Sequence, residues 1–158
     1  MSAEEGYFDS LEADLREKKD RTDELDELFQ LSFLGDDPVK ERVSWCVAKM
    51  AQNKVQDLRM IEILTSLSDS DDPEVMENVA WGIGEMAGVG IGDEHLNEVI
   101  LRYMSDRNAS VRGMAVWAAG RLKKKMGVKD DRLDRMIRSL ADDRSEYVRR
   151  SVQYALEP

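Results

Sequence analysis

The chain has 158 residues, of which 35% are charged and 42% hydrophobic, a formal net charge of -10 and a mean hydropathy of -0.53. That is enough chain for one domain with a sizeable core, and too much apolar patterning for a disordered segment. No apolar run approaches the roughly 18 residues that a membrane span needs, so no membrane partner is expected, and the single cysteine, Cys46, excludes an intrachain disulfide and suits a reducing cytoplasm.

The first stretch, MSAEEGYFDSLEADLREKKD, is acidic and lacks the apolar region of a secretory signal, so none is expected. Tyr7, Phe8, Leu11 and Leu15 fall on one side of an amphipathic helix over 7–19, which makes residues 1–22 an N-terminal capping helix. From residue 23 onward two kinds of apolar stripe alternate. Leu25, Leu28 and Phe29 open the first kind. It returns as Met60, Ile63, Leu64 and Leu67, as Leu96, Val99, Ile100 and Tyr103, and as Leu133, Met136, Ile137 and Leu140. The spacing i, i+3, i+4, i+7 is that of one helical face, and these are the A helices.

The second kind is marked by tryptophans thirty-six residues apart, Trp45, Trp81 and Trp117, with Tyr154 in the fourth slot. Each lies six positions beyond an aligned valine: Val39, Val75, Val111 and Val148. Apolar residues at offsets 0, 4, 7, 8 and 11 from that valine share one side of a helix, and these are the B helices. A fixed period of this length is the signature of a solenoid. Asp37 and Asp72 are expected N-caps with Pro38 and Pro73 at the first helical position, Asp93 caps an A helix, and Gly88 and Gly127 close B helices. The expected fold is all-α, an α/α superhelix of about four helical hairpins plus the N-terminal helix. Its repeat domain covers 23–158, with repeats at about 23–53, 56–88, 93–126 and 130–157.

A fixed-length antiparallel helix pair with Asp-Pro before the second helix resembles the HEAT repeat. The segments DPEVMENVAWGIGEMAG and NASVRGMAVWAAGRL are most similar to the phycobilisome-lyase type of HEAT-like repeat. The resemblance covers about 23–157 and implies a fold more than a function, since such repeats serve scaffolds, lyase subunits and DNA glycosylases. HEAT-like deoxyhypusine hydroxylases hold iron through repeated His-Glu pairs. His95 is the only histidine here, so that chemistry is not expected.

Offset six lies on the lateral flank of a B helix, so each indole is expected to wedge against the neighbouring B helix. Small residues on the opposite flank, Ser44, Ala80 and Val116, would receive it, and Gly82, Gly84 and Gly120 would permit close approach. An aromatic platform for a ligand is the competing reading. Offsets that point into the concave groove give Glu41, Lys49, Glu77, Glu85, Arg112, Arg121, Lys124, Arg149 and Arg150 as candidate partner contacts.

Charge is unevenly spread. Residues 1–106 carry 10 basic and 26 acidic side chains, and residues 107–158 carry 13 basic and 7 acidic, so the two parts differ in sign. GIGEMA at 82–87 lies inside a helix and follows no strand, so it is not a dinucleotide loop. DSDDPE at 69–74 has Pro73 and Glu74 where a calcium loop needs a ligand and a glycine. No catalytic residue, cofactor or metal site is expected, and the chain reads as a non-enzymatic module that binds another protein. The alternatives are nucleic-acid binding through the basic C-terminal half and an accessory role in a lyase-like enzyme. Weak head-to-tail self-association is a further expectation.

Overall fold

The computed structural model describes residues 2–158. Among them it contains nine α-helices, one short 3-10 turn at Thr22–Glu24 and no strand. The helices are α1 (Ala3–Arg16), α2 (Leu25–Leu34), α3 (Asp37–Gln52), α4 (Arg59–Leu67), α5 (Pro73–Gly88), α6 (Glu94–Tyr103), α7 (Ala109–Met126), α8 (Asp131–Ser139) and α9 (Glu146–Leu156). Four hairpins result, α2–α3, α4–α5, α6–α7 and α8–α9. The B helices α3, α5, α7 and α9 pack side by side in one layer, and α2, α4, α6 and α8 form the other.

Local chemistry sets the ends. Ser2 and Glu5 form a reciprocal capping box at 3.1 and 3.2 Å, so α1 starts four residues before the sequence expectation and ends at Arg16. Asp36, not Asp37, caps α3 by accepting from the Val39 N–H at 3.1 Å. The doubled aspartate offers two caps, and the extended backbone at Asp36 selects the first, leaving Asp37 and Pro38 inside the helix. Asp72 caps α5 ahead of Pro73, and Asp93 caps α6 through the Leu96 N–H at 2.8 Å, both as expected. Gly127 ends α7 in the left-handed region at φ 66, which a glycine adopts without a Cβ clash. Gly88 is instead the last helical residue, and the chain turns at Gly90 with φ 79.

Aliphatic residues of the two stripes form one continuous core, including Val43, Val47, Val79, Ile83, Ile100, Val111, Ala115 and Ile137. α1 lies against α3, burying Phe8, Leu11 and Leu15. Arg42 of α3 holds it there, its Nε 2.7 Å from Glu12 and its Nη2 2.6 Å from Asp9. Asn53 reaches the Leu15 carbonyl at 2.8 Å.

Two of the four rings, Trp117 and Tyr154, wedge against the preceding B helix, but their seats differ from those expected. Trp117 of α7 lies on Gly84 of α5, where a Cβ would collide with the indole. Tyr154 of α9 lies on Gly120 of α7 in the same relation, its Cε2 3.1 Å from where a Cβ would stand. The receiving position is offset nine of the preceding repeat. Of the small residues expected to receive a ring, Ser44 accepts from the Asn78 amide at 3.1 Å, and Ala80 and Val116 are buried in the core.

Glycine at these seats is a packing demand of unequal strength. At Gly120 a Cβ would stand 2.9 Å from the Ala155 Cα, and backbone cannot step aside. At Gly88 the obstacle is the guanidinium at the far end of the long Arg121 side chain, not backbone. Gly120→Ala is therefore expected to destabilise by about 1–3 kcal/mol although alanine is the better helix former. Gly88→Ala is expected to be neutral or slightly stabilising. Urea denaturation of both variants checks the contrast.

Candidate functional site

The open face of the B layer carries a depression of ≈ 340 Å³ walled by Trp81, Trp117, Tyr147 and Met114, with Gln52, Glu85 and Ser151 at its margins. The three rings come from α5, α7 and α9, so no single repeat could build it. Trp81 leans on Trp45 with centroids 6.3 Å apart and planes 59° from parallel. Tyr147, 40% exposed, lies over Gly113. The tryptophans are half-buried, so one face of each packs while another meets solvent. Structural wedge and exposed platform are two sides of the same rings.

Sequence reasoning missed Tyr147, Met114 and Ser151 as members of this wall. Tyr147 stands one position before its valine, where the other repeats have Pro38, Glu74 and Ser110. The only available signal was the departure itself: an aromatic just ahead of the valine, facing a glycine of the preceding repeat.

Two of the expected groove residues are brought together. Glu85 accepts from the Trp81 Nε1 at 3.3 Å and lies 3.7 Å from the Arg121 guanidinium. Arg121 also donates to the Gly84 carbonyl at 3.1 Å and lies 5.4 Å from the Trp117 ring centroid. Lys124 donates to the Tyr154 carbonyl and sits 3.8 Å from that ring centroid. Lys49 donates to Gln52 at 2.6 Å. Glu77 is half-buried on α5, one turn before Trp81; desolvation pushes its carboxyl up, with Glu74 adding to the effect.

The others are placed elsewhere. Arg112 was expected in the groove, but it is 8% exposed and grips Asp143 through two bonds of 3.0 Å. It also donates to the carbonyls of Asp106 and Arg107, each at 3.0 Å. The guanidinium thus satisfies the turn entering α7 and ties it to the turn entering α9, which leaves nothing to offer a partner. Its hydrogen bonds hold the Asp143 carboxyl below the usual carboxylate range. Arg149 donates to the Asp143 carbonyl at 2.7 Å in the same turn. Arg150 is exposed and pairs with Glu146 at 2.8 Å. Glu41 lies at the start of α3 against Asp72, and hydrogen bonding between the two carboxyls, with partial burial, pushes Glu41 up to about 7.

Within the basic C-terminal half, Lys123 pairs with Asp134, and Arg132 with Asp130 at 2.8 Å and with Glu98. Cys46 is buried, and burial pushes its thiol up, away from the reactive thiolate. A wider cleft of ≈ 680 Å³ opens among the turns at 68–76 and 102–108, where Arg102 serves the Ser68 carbonyl at 2.7 Å. That is turn closure.

A family model described as HEAT repeats matches residues 61–157, well over half of the chain. The chain belongs to the HEAT-repeat family. Among solved structures, a designed armadillo repeat protein in complex with peptide (KR)4 matches with a TM-score of 0.60 at 21% sequence identity. The match covers 82% of this chain and 61% of that one, so this chain spans about three fifths of its length. At that identity the likeness is one of fold, an all-α superhelical repeat. No match is found among curated proteins. No helix among the described residues is long and apolar enough to cross a membrane.

Two outcomes follow from this geometry. Arg112→Ala leaves Asp143 buried without its cation, and is expected to cost about 3 kcal/mol in urea denaturation, against under about 0.5 kcal/mol for Arg150→Ala. A carboxyl raised on folding binds more protons in the native than in the unfolded chain, so the Glu41 contribution to stability falls as pH rises from 4.5 to about 7 and stays low above it. Glu41→Gln is expected to remove that fall, measured as unfolding midpoints at pH 5 and pH 8.

Proposed function

We propose that this protein is a small non-enzymatic scaffold of the cytoplasm that binds a segment of another protein along the groove of its B layer, with residues 1–22 capping the stack. The observation that carries the reading is the depression between Trp81, Trp117 and Tyr147. Half-exposed rings of three successive B helices line one open face. A volume of ≈ 340 Å³ stands at the small end of what ligand sites occupy, roughly 300–1,000 Å³, and it is open. It suits one or two anchoring side chains of a partner better than an enclosed cofactor.

Aromatic anchors at the centre of a contact, with polar residues around them, are where binding energy concentrates. Membership of the HEAT-repeat family supports a binding role, and so does a structural neighbour solved with a peptide. The groove contacts we assign are Lys49, Glu77, Glu85 and Arg121, with Lys124 and Arg150 toward the C-terminal end. Nucleic acid is disfavoured, because Arg112, Lys123 and Arg132 are engaged with carboxylates and Glu77 would repel phosphate.

A photo-crosslinking amino acid placed at Gln52, on the margin of the depression, is expected to capture a discrete protein partner in lysate of the native host. The same group at Glu62, exposed on α4 in the outer layer, is expected to capture none of it. Equal yields from both positions, or none from position 52, would remove the groove assignment.

A further inference from the structure

Four aromatic residues occupy the same slot of the B helices, and three of them already hold a cation. The Arg16 guanidinium lies 4.8 Å from the Trp45 ring centroid, Arg121 lies 5.4 Å from Trp117, and the Lys124 ammonium lies 3.8 Å from Tyr154. Trp81, between Trp45 and Trp117 in the stack, has no such cation among the described residues. It has carboxylates instead. Glu77 stands one helical turn before it and Glu85 one turn after it, both on its own side of α5.

Glu85 is accounted for by the Trp81 Nε1 and Arg121. Glu77 has no ion pair and no hydrogen-bond donor to its carboxylate among the described residues. It is half-buried, and it lies close enough to Tyr147 that its charge adds to the burial that raises that phenol. Arg121 does not supply the missing charge, since it is only 19% exposed and already held by Gly84, Glu85 and the Trp117 ring. A half-buried carboxylate without a counter-charge is costly, and an indole face without a cation beside it is a place where a desolvated cation is favoured.

We propose that the groove takes a partner segment bearing an arginine or lysine side chain, whose cation lies against Trp81 and pairs with Glu77 while its aliphatic stem crosses the Trp117 and Tyr147 rings. The proposal rests on the protein-binding reading of the same groove and adds the charge of the guest. The free protein supplies the cation at every other ring of the ladder, so the partner's cation completes the series at the one ring that lacks it. The acidic surplus of residues 1–106 draws a basic segment to that part of the groove.

The test is calorimetric titration of the intact protein with three blocked octapeptides: alternating Lys-Arg, alternating Gln-Ser and alternating Tyr-Ser. The Lys-Arg probe is expected to bind and the Gln-Ser probe not. Glu77→Gln is expected to weaken the Lys-Arg probe about tenfold, and Glu62→Gln on α4 less than twofold. Trp81→Leu, checked for folding by circular dichroism, is expected to weaken it likewise. Equal weakening by Glu77→Gln and Glu62→Gln would mean diffuse attraction to an acidic surface, and would overturn the proposal. So would absence of Lys-Arg binding, or tighter binding of the Tyr-Ser probe that Glu77→Gln leaves unchanged. In those cases a position-52 crosslink to a partner that survives Glu77→Gln would keep the groove reading while the cation assignment falls, whereas absence of that crosslink fails the groove reading itself.

Discussion

The structure depends on how closely one B helix can approach the next. Trp117 sits on Gly84 and Tyr154 on Gly120, each ring reaching back to the preceding repeat. An aromatic side chain buries 150–250 Å² when fully covered, so such contacts are large apolar terms for a repeat of this size. They require that the receiving helix present no Cβ. The demand couples neighbouring repeats and nothing further away, which is why a solenoid built this way extends by addition and not by folding around a centre.

Polar contacts reinforce the same nearest-neighbour rule. Arg42 binds α1 to α3, Arg59 reaches Asp26 at 3.2 Å, Arg102 reaches the Ser68 carbonyl, and Arg112 grips Asp143. Each spans one repeat step. Their weights differ by burial. The Arg59 pair is 40% exposed on one side and 84% on the other, so it contributes little, whereas the Arg112 pair is about nine-tenths buried and holds the turns that start α7 and α9. The last two B helices are thus fixed to each other by a charge pair at their entry and by a ring on a glycine further along.

The groove inherits its chemistry from this packing. Trp117, Tyr147 and Tyr154 each cover a glycine of the preceding repeat with one side of the ring and keep another part at the surface. Repetition then produces a row of half-exposed aromatics, and intramolecular cations settle on most of them. Where α5 places carboxylates on both sides of Trp81, the row is interrupted. The surface that results is apolar in its walls and negative at one point, which is a statement about which partners it favours.

The amino-acid sequence by itself determined the helices, their pairing and their order, because a period of thirty-six residues and apolar stripes at helical spacing are local properties of the chain. The caps at Asp72 and Asp93 were equally legible, and even the error at Asp37 amounted to one residue of a doubled aspartate. The offsets that face the groove were legible in part: Glu77, Glu85 and Arg121 stand beside the wall rings that one period predicts, while Arg112 is buried. At 3.6 residues per turn the nine positions between Arg112 and Arg121 set them on roughly opposite sides of α7. What the spacing does not give is the partner of Arg112, Asp143, thirty-one residues on, which only the turn between α8 and α9 brings within 3.0 Å. Tyr147 joins Trp81 and Trp117 for the same reason. Periodicity says which way a side chain leaves its helix, and the packing of helices against one another decides what it meets there.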